Sequence, residues 1–146
     1  MRQVQGEITI DAEAARVWAV LTDFAAYPEW NPFITRISGP LEVGQKLTVR
    51  MQPPGGRGIT FKPTVTTVDE GRRFAWLGRL LVPRIFDGAH EFVLSSVAGN
   101  RTQVIQRETF TGILVVFFRR TLKRTSAGFD QLNEALKARV ETQTLA

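Results

Sequence analysis

ILVVFFRRTLKRTSAGFDQLNEALKARVE, residues 113–141, decides the architecture. At 3.6 residues per turn, Leu114, Phe118, Leu122, Thr125, Phe129, Leu132, Leu136 and Val140 fall on one stripe. Arg119, Lys123, Asp130, Glu134, Lys137 and Glu141 fall on the other side. The spacing predicts one helix from Ile113 to Glu141, about 40 Å long, well above the ordinary length in a chain of 146 residues. A helix of this kind is held by packing along its apolar stripe, so the rest of the chain must supply a surface as long as itself.

That surface is read from the segments before it. Val4, Gly6, Ile8 and Ile10 alternate with Gln5, Glu7 and Thr9, the period of a half-buried strand. Asp11 stands where an N-cap belongs, ahead of a short amphipathic helix carrying Val17, Trp18, Val20, Leu21 and Phe24. In DFAAYPEWNPFI, residues 23–34, Pro28 and Pro32 confine any second helix to a turn or two. Strands are predicted over Ile34–Ser38, Leu47–Met51, Phe61–Val68, Arg73–Leu81, His90–Val97 and Thr102–Thr111, with Val82-Pro83-Arg84 as an interruption and PPGGRG at 53–58 as a loop. Strands in succession without intervening helices argue for an antiparallel meander, hence an α+β fold in a single domain over residues 1–146.

Parity sets the register of the last hairpin. For Leu94 and Val104 both to face the core, paired positions must sum to an even number, so the loop holds an odd count of residues. Ala98-Gly99-Asn100 satisfies this and offers residues that tolerate positive φ. Leu94 then opposes Val104, Phe92 opposes Gln106, and His90 opposes Glu108; a loop shifted by one pair would set His90 against Phe110. A His–Glu pair on the inner face is open to three readings. It fixes register as a satisfied polar pair, anchors a ligand, or works as a general acid/base, with Tyr27 as a further candidate.

Composition narrows the chemistry. With no cysteine and one histidine, thiolate metal sites, cysteine nucleophiles and two-histidine zinc motifs are excluded. No G-x-S-x-G elbow or dinucleotide fingerprint occurs, and nothing in the pattern calls for a metal or cofactor. The N-terminus lacks the apolar core of a secretory signal, and the apolar run 113–118 is too short to span a bilayer, which favours a cytoplasmic setting. The net charge of +5 comes without a nucleic-acid-binding motif, so a nucleic-acid partner is not expected. The cluster Arg119, Arg120, Lys123 and Arg124 beside the apolar run leaves room for transient contact with a membrane surface. A sheet bent around one helix encloses more volume than one layer of side chains fills, and Gly78, Thr121, Thr125 and Gly128 are small where a core favours bulk. A cavity is therefore expected there, walled by Phe61, Trp76, Gly78, His90, Phe92, Glu108, Phe110, Phe118, Thr125 and Phe129, with Phe117 nearby and with Trp30 and Phe33 near its mouth.

The ordered set I-x-I-D-A-x-x-x-x-V-W, D-F-x-x-Y-P-E-W-N-P-F-I, H-E-F-V-L…G-N-R-T and E-T-F-T-G, leading into the long helix, resembles the START-like (SRPBCC) superfamily, in particular its polyketide cyclase/dehydrase and lipid-transport branch. The resemblance implies the helix-grip fold: a seven-stranded curved antiparallel sheet, two short helices after the first strand, a C-terminal helix across the sheet and an internal hydrophobic cavity. It implies no single activity. Iron-dependent oxygenase members need paired histidines, which a chain with one histidine cannot supply. Cyclase members use polar cavity residues whose placement varies, so no catalytic position is carried over. The expected function is binding or carriage of a hydrophobic small molecule (lipid, isoprenoid or polyketide-like), with cyclase or dehydratase chemistry as the alternative.

Overall fold

The computed structural model describes residues 1–80, 86–115 and 118–145. The interruption expected at 82–84 and the side chain of Phe117 lie outside them. Among the described residues eight strands run in chain order as β1 (Arg2–Ile10), β2 (Ile34–Ser38), β3 (Thr48–Met51), β4 (Ile59–Phe61), β5 (Thr64–Asp69), β6 (Arg73–Leu80), β7 (Phe86–Val97) and β8 (Arg101–Thr111). Helix α1 (Ala14–Thr22), a single 3-10 turn (Phe24–Ala26) and the short α2 (Tyr27–Trp30) lie between β1 and β2, and α3 (Arg119–Leu145) closes the chain.

All strand pairs are antiparallel, in the orders β1-β8-β7-β6-β5 and β2-β3-β4. The strand expected over 61–68 is split at Lys62-Pro63. Pro63 has no N–H to give a ladder, and the chain bends there, leaving β4 on β3 and β5 on β6. The two sheets are nevertheless stitched together. Leu47 N–H donates to the Pro63 carbonyl (2.9 Å) and Val65 N–H to the Gln45 carbonyl (2.8 Å), around a Lys46–Thr64 bridge. Counted as one bent strand, β4 and β5 restore the seven strands of the expected curved sheet.

The helices begin later than the sequence suggests. Helix α1 starts at Ala14 with Glu13 in the cap position and no side-chain capping bond. Ala12 turns inward, with its N–H on the Ile10 carbonyl, and this bend displaces Asp11 from the cap; its backbone N–H instead donates to Glu141. Helix α3 starts at Arg119 rather than Ile113. After β8 the chain must reverse onto the sheet, and Gly112, at φ +119°, starts a tight turn closed by Val115 N–H on the Gly112 carbonyl. Ile113 is left exposed. From Arg119 onward the apolar stripe packs as read: Phe129, Leu132, Leu136 and Val140 are fully buried, Thr125 is nearly so, and Phe118 and Leu122 are half-buried against the core.

One expectation about the helix is corrected. Gly128 is small to admit Phe33, not to leave space: a Cβ there would lie 2.3 Å from the Phe33 ring. Phe33, fully buried, fills that notch and meets Phe129 edge-on at 5.9 Å.

Candidate functional site

The hairpin register places the site. Leu94 pairs with Val104, Phe92 with Gln106 and His90 with Glu108, and the loop residues Gly99 and Asn100 take positive φ. The neighbouring ladders extend these pairs into rows across the inner face. Trp76, His90, Glu108 and Val4 form one row, and Phe74, Phe92, Gln106 and Gly6 another. In a third, Gly78, Gly88 and Phe110 are side by side. Two glycines facing each other on adjacent strands leave a gap in the inner face of the sheet, and there a cavity of about 80 Å³ opens toward the start of α3.

Among the described residues the cavity is walled by Phe33, Met51, Pro53, Ile59, Phe61, Gly78, Gly88, Glu108, Phe110, Thr121 and Thr125. Six of the residues named from sequence are therefore brought together: Phe33, Phe61, Gly78, Glu108, Phe110 and Thr125. Trp76, His90, Phe92 and Phe129 sit behind that wall as packed core. Trp30, expected near the mouth, packs on Tyr27 at 5.1 Å and borders a separate hollow with Arg139, because the Pro28 turn directs it toward the far end of α3. Phe118 is half-buried and does not reach the wall. A larger hollow of about 740 Å³ lies over β2 and β3, but its rim of Arg36, Ser38, Thr48 and Arg50 is exposed, and no buried ionisable group enters it.

His90 is fully buried. Its ring stacks on Trp76 at 4.9 Å and 14°, and the edge of Phe129 closes on it at 5.2 Å. Its Nδ1 lies 3.3 Å from Glu108 Oε2, while its Nε2 and the indole N–H of Trp76 have no hydrogen-bond partner among the described residues. Glu108 carries the polarity of this pair to the cavity, its side chain 9% exposed. Gly88 makes room for it: a Cβ on Gly88 would stand 2.7 Å from Glu108 Oε1. Gly88 was not singled out in the sequence; the observed register that pairs Trp76 with His90 also pairs Gly78 with Gly88.

The neighbouring inward polar residue, Gln106, is held differently. Its amide N–H groups donate to the Phe129 carbonyl (3.2 Å) and to Asn133 Oδ1 (2.6 Å), tying β8 to α3. Asn133, buried within the helix stripe, escaped the sequence reading because amphipathic periodicity registers it only as a polar residue. In the basic cluster, Arg119, Arg120 and Lys123 are exposed, and Arg124 lies over Gly55 and Gly56 beside the cavity loop.

Tyr27 does not join the His–Glu pair. It is fully buried, its hydroxyl donates to the Leu21 carbonyl, and it packs between Phe24 and Trp30. Burial, reinforced by the charge of Asp23, pushes its phenol far above the ordinary value of 10.0. The folded state thus holds the proton more tightly than the unfolded chain. That part of the stability is complete below the unfolded value and is lost as pH rises beyond it. As this is the chain's single tyrosine, an alkaline titration followed by ultraviolet absorbance should show no tyrosinate before the fold itself is lost, both signals changing together. A phenol titrating near its ordinary value in folded protein would contradict this placement.

The sheet, the long helix across it and the cavity between them define a START-type helix-grip domain. The chain belongs to the polyketide cyclase/dehydrase and lipid transport family, whose sequence pattern matches residues 1–141. No curated protein matches the sequence. Among solved structures it is similar to the Zhui aromatase/cyclase of Streptomyces sp. R1128 (19% identity, 98% of this chain and 95% of that one, TM-score 0.76). It is also similar to a START superfamily protein of Mycobacterium smegmatis (20% identity, 97% and 98%, TM-score 0.75). At these identities the likeness is one of fold. No described helix is long and apolar enough to cross a membrane, and among the described residues no three His, Asp or Glu side chains gather to hold a metal ion.

Proposed function

We propose that the protein binds a hydrophobic small molecule between the sheet and α3, with Glu108 as the polar anchor oriented by His90. The observation that carries this reading is a nearly buried carboxylate facing a gap whose other walls are mainly aromatic and aliphatic. The two glycines seat the Phe61 ring and the Glu108 carboxylate, since a Cβ on Gly78 would stand 3.1 Å from Phe61 and one on Gly88 2.7 Å from Glu108 Oε1. At about 80 Å³ the cavity is well below the ~300–1,000 Å³ of drug-sized sites. A larger ligand therefore enters by displacing Phe61 and the glycine-rich loop 53–58, where Arg124 and the exposed bases of α3 would meet an anionic surface during loading.

Native mass spectrometry of protein purified without denaturation, followed by extraction, tests the reading. An apolar molecule should be retained by the wild type and absent from Thr125→Met, whose longer side chain fills the gap, with circular dichroism unchanged. Equal retention by both proteins would place the ligand elsewhere. The His–Glu pair also favours a cyclase or dehydratase reading, in which Glu108 exchanges a proton with substrate and His90 supports it. The same experiment separates the two: an added poly-β-carbonyl compound recovered unchanged supports carriage, and one recovered with the loss of water supports catalysis.

A further inference from the structure

The polar groups fixed in the cavity wall are of one kind. Glu108 Oε2 is engaged by His90 Nδ1, and Oε1 has no partner among the described residues. With the shared proton lying between Nδ1 and Oε2, Oε1 turns its lone pairs to the cavity. Thr125 behaves alike: its hydroxyl hydrogen is committed to the Thr121 carbonyl at 2.8 Å, so its oxygen offers only lone pairs to the cavity. The backbone of Gly78, Gly88 and Phe110 is taken up in the sheet ladders. The adaptable group is the Thr121 hydroxyl, exposed at the rim. The cavity is thus an apolar chamber with two built-in acceptors and no fixed donor at its inner end.

We infer that this site selects ligands that present a hydrogen-bond donor on an apolar body, phenols and alcohols above all, and turns away carboxylates. The inference rests on the binding reading above and narrows its ligand class. A buried carboxylate ligand would set its oxygens against Glu108 Oε1 and Thr125 Oγ1 with no proton between them, and unpaired buried acceptors are strongly disfavoured. A hydroxyl satisfies Oε1 at once. Fatty acids entering head first are excluded on this ground, whereas a hydroxylated ring or a terpenoid alcohol of similar bulk is accepted.

Three compounds of one shape decide it: 2-naphthol, 2-methylnaphthalene and 2-naphthoate. Each is titrated at neutral pH by calorimetry, with amide shifts of Gly78, Gly88 and Phe110 reporting location. The wild type should bind the naphthol about tenfold more tightly than the methyl compound, the scale of one buried hydrogen bond, and the naphthoate most weakly. Glu108→Gln, whose amide can turn an N–H inward, should improve naphthoate relative to naphthol by about tenfold. Thr125→Val, close to isosteric and independent of the His–Glu pair, should reduce the naphthol's advantage with the fold intact. Naphthoate binding as well as naphthol, or an order unchanged in both variants, overturns the selectivity while leaving the cavity as the binding site. Failure of all three compounds to shift the cavity residues overturns the binding reading and the selectivity with it.

Discussion

Gly128→Ala is expected to destabilise the protein by about 1–3 kcal/mol, the range for overpacking a filled core. The prediction runs against local preference, since alanine is better than glycine inside a helix by about 1 kcal/mol. Packing wins because the added methyl would overlap the ring of Phe33, itself fully buried with Phe129 behind it. A double-mutant cycle isolates the cause. Phe33→Ala alone should cost about 3–5 kcal/mol by leaving a void. In that background Gly128→Ala should change sign and stabilise by roughly 1 kcal/mol, because only helix propensity then remains. Thermal melts suffice, since each kcal/mol moves the midpoint of a domain this size by about 2–4 °C. A raised midpoint for Gly128→Ala in the wild-type background would mean that Phe33 has another place to go.

A second large effect is expected at Asn31. Its backbone N–H closes α2 on the Tyr27 carbonyl, and its side-chain oxygen accepts from the N–H groups of Phe33 (3.0 Å) and Ile34 (2.9 Å). One buried side chain thus ends a helix, turns the chain past Pro32 and starts β2. Asn31→Ala strands two buried donors, and at about 1–3 kcal/mol for each the loss is about 2–6 kcal/mol. Asn31→Asp keeps both acceptor bonds and gives up only an amide nitrogen that has no partner, so it should remain within about 1 kcal/mol of the wild type. Denaturant unfolding of the two variants makes the comparison. Equal losses would show that the two bonds to the side-chain oxygen do not hold the turn.

The parts of the fold legible in the sequence were those written in side-chain periodicity. The stripe of α3 and the parity of the last hairpin required only that apolar residues share a face, and both led to the observed packing and register. Other features depended on residues that carry no period. Pro63 splits a strand whose hydrophobic alternation reads as continuous, since alternation is blind to a missing N–H. The turn at Gly112 keeps Ile113 out of the helix it was expected to start, although its hydrophobicity suits one. In the cavity wall, the inward position of Glu108 was legible because a carboxylate there demands an explanation. Gly88 was not, since an absent side chain makes no pattern until its neighbour across the ladder is known. Gly128 was noticed for its size and misjudged, because only the tertiary structure shows whether a small residue leaves a space or receives a ring.

The pairing of β1 with β8 has a consequence for how the chain is made. Gln5 meets Arg107 across 102 positions, and Lys137 reaches back to the Thr9 carbonyl across 128. At about 5–20 residues per second, a ribosome holds the first strand without its neighbour for several seconds or more. The inner face of the meander stays only partly covered, by Trp18 and Phe24 on Phe74, until α3 has emerged. Until that helix has emerged His90 lacks the edge of Phe129, and Gln106 lacks its acceptors on Phe129 and Asn133, so completion of the fold waits for α3. Over that interval the growing chain presents the apolar face that chaperones recognise.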